Sequence, residues 1–275
     1  MNTKYLNYLL LCLLIFLGAC GKDTKDTKNT NEKAQQELPI NITVFLDLSD
    51  RIEKEKDNMI QSKKDSAIVN NLISLFINKQ DKKFNKSQDS FQVIFYPAPS
   101  NADDIANKLS LDLGKIEGAK KRSSLLDFKK NHTAHIKELY DKALQAKDYF
   151  GSDIWGFFKK DKVADYIKDS YRNVFILLTD GYIYDKNNVK VEDGYYSYIL
   201  PKNINTEKGL IPCKISKTDF ELYIIECNPT PAEDLEKMRE LLNSWFSNMG
   251  IKSIDIQDTD LPSNTIKHLN NKIFD

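Results

Sequence analysis

The sequence predicts an α/β fold, a mostly parallel sheet of about six strands with helices on both faces. Three observations predict it. Asn41–Leu46 and Val174–Thr179 are runs of β-branched and aromatic residues almost without charge, the pattern of strands buried on both faces. Each run stops abruptly in polar residues, Asp47-Leu-Ser49-Asp50-Arg51 after the first and Asp180-Gly181 after the second. The intervening segments carry apolar residues at three- and four-residue steps, so that strands alternate with helices. In open α/β sheets ligands bind outside the carboxyl ends of the strands, where Asp47, Ser49 and Asp180 would lie.

Residues 1–19 read as a signal peptide. Lys4 supplies a positive charge, Leu9–Leu17 is apolar but too short to span a bilayer comfortably, and Leu17-Gly18-Ala19-Cys20 matches a bacterial lipobox. Cys20 is then the lipidated residue; an ordinary cleaved leader or a short anchor is the alternative. Gly21, not Asp, follows it, which by similarity to bacterial sorting rules disfavours the inner membrane and points to the outer one, its face left open. Residues 20–38 are Lys, Asp, Thr, Asn, Glu and Gln with little apolar content, a disordered tether averaging about 20–25 Å end to end. Residues 39–275 read as one domain, with no internal Pro/Gly-rich linker or repeat.

After the first strand, Ile60, Ala67, Ile68, Leu72, Leu75 and Phe76 predict a helix over about residues 58–78. Phe91–Tyr96 reads as a strand stopped by Pro97, and a short strand falls near Lys108–Leu113. Leu125, Phe128, His132, Ile136, Leu139, Ala143 and Ala146 mark a long helix; His132 and His135 on it join no metal-binding pattern. A loop at 149–153 opens a helix carrying Trp155 and Phe158, with Ser152 and Asp153 as favoured N-caps. Tyr182–Leu200 is a tyrosine-rich insertion beside the polar elbow. Tyr182 and Tyr184 could supply contact area to a partner or pack on their own domain. Phe220–Cys227 is a further strand, Thr230-Pro231 starts a helix, and a last strand and helix follow. Cys213 and Cys227 permit a disulfide or two core thiols.

The two strand ends together resemble the von Willebrand factor type A family. There the first strand ends in Asp-x-Ser-x-Ser, a later one ends in Asp, and a middle loop adds Thr or Ser. The resemblance implies a three-layer, Rossmann-like fold with one short antiparallel edge strand. It also implies a metal-ion-dependent adhesion site, in which Asp47, Ser49, Ser152 and Asp180 would hold Mg²⁺ or Mn²⁺. Asp50, Arg51, Asp153, Tyr182 and Tyr184 would then face a protein or glycan partner. Arg51 departs from the pattern, standing where the third motif position carries Ser. Its guanidinium either pairs with Asp47 or Asp180 in place of a cation, or swings outward.

With 40 basic and 40 acidic residues the chain is neutral, which argues against a nucleic-acid partner. The motifs of hydrolases, zinc proteases, P-loops and dinucleotide folds are missing. Asp47 as the nucleophile of a phosphatase resembling the haloacid-dehalogenase family would need a second Asp at position 49, which is Ser. A binding module is the first expectation, and a metal-free scaffold locked by Arg51 the second.

Overall fold

The computed structural model describes residues 37–56, 59–80, 83–100, 102–146, 151–183, 214–229 and 235–275. The expectations for residues 1–36, Tyr184, the rest of the tyrosine-rich insertion, Cys213 and the helix start at Thr230 lie outside the described residues. The compact unit runs from Leu38 to Asp275.

The main sheet has six strands: β1 (Ile40–Leu46), β4 (Ser90–Ile94), β5 (Ser110–Asp112), β6 (Arg172–Leu178), β7 (Glu221–Cys227) and β8 (Ser253–Asp258). Their spatial order is β5-β4-β1-β6-β7-β8. All neighbours are parallel except β4 and β5, so the single antiparallel strand is a short edge. A small hairpin of β2 (Glu55–Lys56) and β3 (Met59–Ile60) stands apart from this sheet. The helices are α1 (Gln61–Gln80), α2 (Asp103–Lys108), α3 (Lys120–Gln145), α4 (Ile154–Lys159), α5 (Leu235–Asn248) and α6 (Pro262–Ile273).

The result is a three-layer α/β architecture. Alternation along β1 sends Ile42, Val44 and Leu46 into a core shared with α1, α3 and α6. Phe45 points the other way, into a core with Phe157 and Phe158 of α4 and Trp245 and Phe246 of α5. Phe45 meets Phe157 edge to face, ring centroids 4.9 Å apart. Both faces of β1 and β6 are covered: all of Ile40–Leu46 and all of β6 after Arg172 are buried. Among the described residues no helix is long and apolar enough to cross a membrane.

The phase of α1 differs from the predicted stripe. Ile60 belongs to the hairpin and is exposed, Ala67 and Leu75 are half-buried, and Val69, Ile73 and Ile77 point inward with Ile68, Leu72 and Phe76. Polar residues continue that buried face at the start of the helix: Gln61, Lys64 and Asp65 are all covered. Cys227 is a buried free thiol.

Candidate functional site

The parallel register sets Leu46 opposite Leu178. Pairing extends one residue further, with the Asp47 amide donating to the Leu178 carbonyl at 2.9 Å. The two strands therefore end side by side, and their first polar residues meet. The Asp47 carboxylate is 2 % exposed. Its Oδ1 accepts the Ser49 amide at 3.0 Å and its Oδ2 accepts the Thr179 hydroxyl at 2.7 Å. Asp47 thus fixes the turn after its own strand and clamps the end of the neighbouring one. A 3₁₀ turn, Asp50–Glu53, follows; Ser49 stands at its N-cap with no side-chain capping bond.

The middle loop reaches this elbow. Gly151 has φ of 93°, and a Cβ placed on it would lie 2.7 Å from Ser49 Cα, so only glycine allows the approach. Ser152 accepts the Leu48 amide at 2.9 Å and donates to the Leu46 carbonyl at 3.1 Å. Its hydroxyl therefore bonds the backbone on either side of Asp47 and not the Asp47 carboxylate. Asp153 caps α4, its Oδ1 accepting the Gly156 amide at 2.7 Å. Capping explains Asp153 without any partner.

Asp180 is 8 % exposed. Its Oδ1 accepts the Tyr182 amide at 3.3 Å, and its Oδ2 lies 3.8 Å from Lys54 Nζ. Burial, then the charge of Asp47, push its carboxyl up to about 6, against the opposing pull of Arg51 and Lys54. Tyr182 is half-buried and packs on the α4–α5 core, while the Asp50 side chain is 85 % exposed.

Arg51 corrects both expectations for it. It pairs with the carboxylate of neither Asp47 nor Asp180 and does not swing outward, and at 2 % exposure it cannot be a surface contact. The guanidinium turns inward and forms a two-pronged pair with Asp65 of α1, Nη1 to Oδ2 at 2.7 Å and Nη2 to Oδ1 at 3.2 Å. Nη1 also donates to the Asp47 carbonyl at 3.1 Å, tying the elbow down from below. Burial opposes its charge, but the carboxylates of Asp65, Asp47 and Asp180 more than reverse that and raise the guanidinium above its ordinary value.

Asp65 belongs to a buried network that the sequence does not reveal. It also accepts Gln61 Nε2 at 2.8 Å and the Tyr140 hydroxyl at 3.3 Å, so that burial and then Asp65 raise the tyrosine well above its usual range. Gln61 reaches a second buried pair, donating at 3.4 Å to Glu226, which holds Lys64 at 2.9 Å. Glu226 further accepts the hydroxyls of Thr259 at 2.8 Å and Thr265 at 3.0 Å. Its φ of 71° falls at a register irregularity in β7, where a bulge re-aims the side chain. Thr179, Asp65 and Glu226 are the site-shaping residues missed from sequence. A charge inside an apolar strand, as in Tyr223-Ile-Ile-Glu226-Cys227, is the signal that could have found the last.

The donors left over decide what the rim can hold. Asp180 Oδ2, the Ser49 hydroxyl and the spare lone pairs of Asp47 are hard oxygens, the kind Mg²⁺ and Mn²⁺ take while keeping several waters. Four carboxylates (Asp47, Asp50, Asp65, Asp180) face two cations: Arg51 is committed to Asp65, and Lys54 is shared between Asp50 at 3.4 Å and Asp180 at 3.8 Å. Negative charge therefore exceeds positive by two in this group. Among the described residues no group of three or more His, Cys, Asp or Glu side chains is placed to hold a metal ion. A cation here would rest on two carboxylates, a hydroxyl and water.

No protein-family model matches the chain, and no curated protein matches it. Solved structures do. The pilus adhesin SpaC of Lactobacillus rhamnosus GG is similar at 13 % identity and a TM-score of 0.44, over 86 % of this chain and 30 % of the adhesin. An aerotolerance-related membrane protein of Bacteroides fragilis NCTC 9343 is similar at 8 % identity and a TM-score of 0.38, over 86 % of this chain and 98 % of that one. The adhesive tip pilin of Group B Streptococcus agalactiae is similar at 11 % identity and a TM-score of 0.40, over 86 % and 62 %. This chain thus spans less than a third of the length of SpaC.

Proposed function

We propose that this chain is a lipid-anchored binding module of a bacterial cell envelope. It takes a protein or glycan partner at the carboxyl ends of β1 and β6, with a divalent cation held by Asp47, Ser49 and Asp180. The observation that carries this reading is the charge imbalance at the rim. Two buried carboxylates end adjacent strands, and the arginine beside them is spent on Asp65. A bound Mg²⁺ or Mn²⁺ would supply the missing positive charge and an open coordination position for an acidic group of the partner. Asp47 keeps the elbow in shape, Ser49 offers an uncommitted hydroxyl, and the exposed Asp50 edges the contact surface. Binding rather than hydrolysis suits Asp47, since both its oxygens already hold hydrogen bonds.

The test is the melting temperature with Mg²⁺ or Mn²⁺ against chelator. Saturation a hundredfold above Kd stabilises the folded state by about 2.7 kcal/mol, roughly 5–10 °C for a domain of this size. Asp47→Ala and Asp180→Ala should abolish the rise, and a wild type that does not respond would sink the cation. A second reading, the metal-free scaffold, is favoured by Lys54 standing 3.8 Å from Asp180. It predicts no response in the wild type and a response gained in Lys54→Ala, which removes the cation beside Asp180. Anchorage is tested separately: labelled palmitate should enter the wild type and be lost in Cys20→Ala.

A further inference from the structure

We propose that the end of the domain at which the chain enters is a docking surface for an anionic lipid bilayer. This rests on the lipid anchorage proposed above and assigns a role to the pole opposite the rim. The entry point is structurally tied to a basic loop. The Ile40 amide donates to Asp89 Oδ1 at 3.0 Å, and Asp89 Oδ2 pairs with Lys83 at 2.9 Å. The same loop is fastened to the start of α3, with Lys121 Nζ donating to the Ser87 carbonyl at 2.8 Å and the Arg122 guanidinium 6.0 Å from the Phe84 ring centroid. In the described residues of 83–89 and 115–122, Lys83, Lys86, Lys115, Lys120 and Arg122 are exposed, against one exposed carboxylate, Glu117. The chain as a whole is neutral, so this is a local concentration of charge.

Two further observations point to a ligand. The first turn of α3 carries Lys120, Lys121 and Arg122 and no acidic residue. Cations there oppose the positive end of the helix dipole, and only Lys121 is repaid by an internal hydrogen bond. Lys120 and Arg122 carry this local cost with only the Phe84 ring beside Arg122, which leaves both charges exposed to a ligand. Leu126, one turn beyond Arg122, is 56 % exposed beside Arg122, Lys129 and Lys130 and one exposed carboxylate, Asp127, and Leu38 at the chain entry is 61 % exposed. Apolar side chains within a basic patch suit the headgroup–acyl boundary of a bilayer better than a nucleic-acid backbone.

Geometry makes the docking useful. Leu38 stands eighteen positions after Cys20, a length of chain that can reach well past a screening length of about 8 Å, so the anchor alone need not hold the domain within the surface field. The basic loop is tied through Asp89 to Ile40, at the start of the domain, so an anchor ahead of Ile40 would bring this end nearest the lipid. Docking there would leave the carboxyl ends of the strands facing away from the membrane.

The experiment uses the mature chain from residue 20 with Cys20→Ser, so that no acyl chain contributes. It should cosediment with phosphatidylcholine vesicles containing phosphatidylglycerol, not with phosphatidylcholine alone, and release at high salt. Each basic residue near such a surface is worth about fivefold in partitioning, so Lys86→Glu/Lys120→Glu/Arg122→Glu should bind at least about 100-fold more weakly. The same triple variant should melt about 2–4 °C higher, because two of its changes now match the helix dipole. Four results overturn the proposal: no sedimentation with anionic vesicles at low salt, equal sedimentation with both lipids, binding undiminished in the triple variant, or tighter binding to duplex DNA than to vesicles. Palmitate labelling of the wild type reports on the anchor independently.

Discussion

Removing Asp65 should be among the most damaging single changes in the domain. The side chain is wholly buried and accepts four hydrogen bonds, two from Arg51 and one each from Gln61 and Tyr140. Asp65→Ala strands the Arg51 charge at 2 % exposure with only the Asp47 carbonyl as partner. Breaking a buried pair from one side costs about 3–5 kcal/mol, because the surviving charge is uncompensated. For a domain of this size each kcal/mol moves Tm by about 2–4 °C, so Asp65→Ala should melt about 6–20 °C lower in a calorimeter. Arg51→Met/Asp65→Leu removes both charges and fills the space with apolar atoms, and should recover most of the loss. A cost below about 1 kcal/mol for the single change, or a double variant no better than the single, would refute the view that this pair pins the elbow.

Two other outcomes follow from the same geometry. Gly151→Ala puts a Cβ 2.7 Å from Ser49 Cα at a φ of 93°; it should cost about 2–4 kcal/mol by urea denaturation and abolish any metal response. Asp180 holds its proton more tightly folded than unfolded, its carboxyl raised from 3.8 to about 6. Its contribution to stability is therefore complete below about pH 3.8 and lost as pH rises through about 6, a change on the order of 3 kcal/mol. In chelator, the stability difference between wild type and Asp180→Asn should move by that amount between pH 4 and 7, in favour of Asp180→Asn at the higher pH. A difference independent of pH would show that Asp180 is not the strained acid of the pair.

The sheet was legible because burial on both faces leaves a mark that needs no partner to read. Asn41–Leu46 and Val174–Thr179 exclude charge, and their polar ends show where they stop. The loop at Ser152 was placed by resemblance, but its hydroxyl went to the backbone, bonding the Leu46 carbonyl and the Leu48 amide where β1 ends. Asp65 stayed hidden for a different reason. One Asp in a helix rich in Lys and Asn looks like a solvated residue, although it stands three and four positions before the buried Ile68 and Val69. Its significance lies in Arg51 on another element, and the link through Gln61 to Glu226 spans 165 positions. Helical phase slipped likewise, since counting Ile60 as helical turned the stripe away from Val69, Ile73 and Ile77.

The position of β1 has a mechanical consequence. The chain enters the sheet at Ile40 and reaches the elbow at Asp47, about 23 Å on at roughly 3.3 Å per residue, with β4 and β6 paired in parallel on either side. A pull on the chain ahead of Ile40, with the rest of the domain held, runs along this central strand. Its ladder bonds to both neighbours lie across the load and are sheared together rather than unzipped one at a time. Tension that peels an edge strand loads one pair of bonds after another, whereas β1 must slide past two neighbours at once. The strand that carries the rim is in this way also the element best placed to resist being drawn out of the fold.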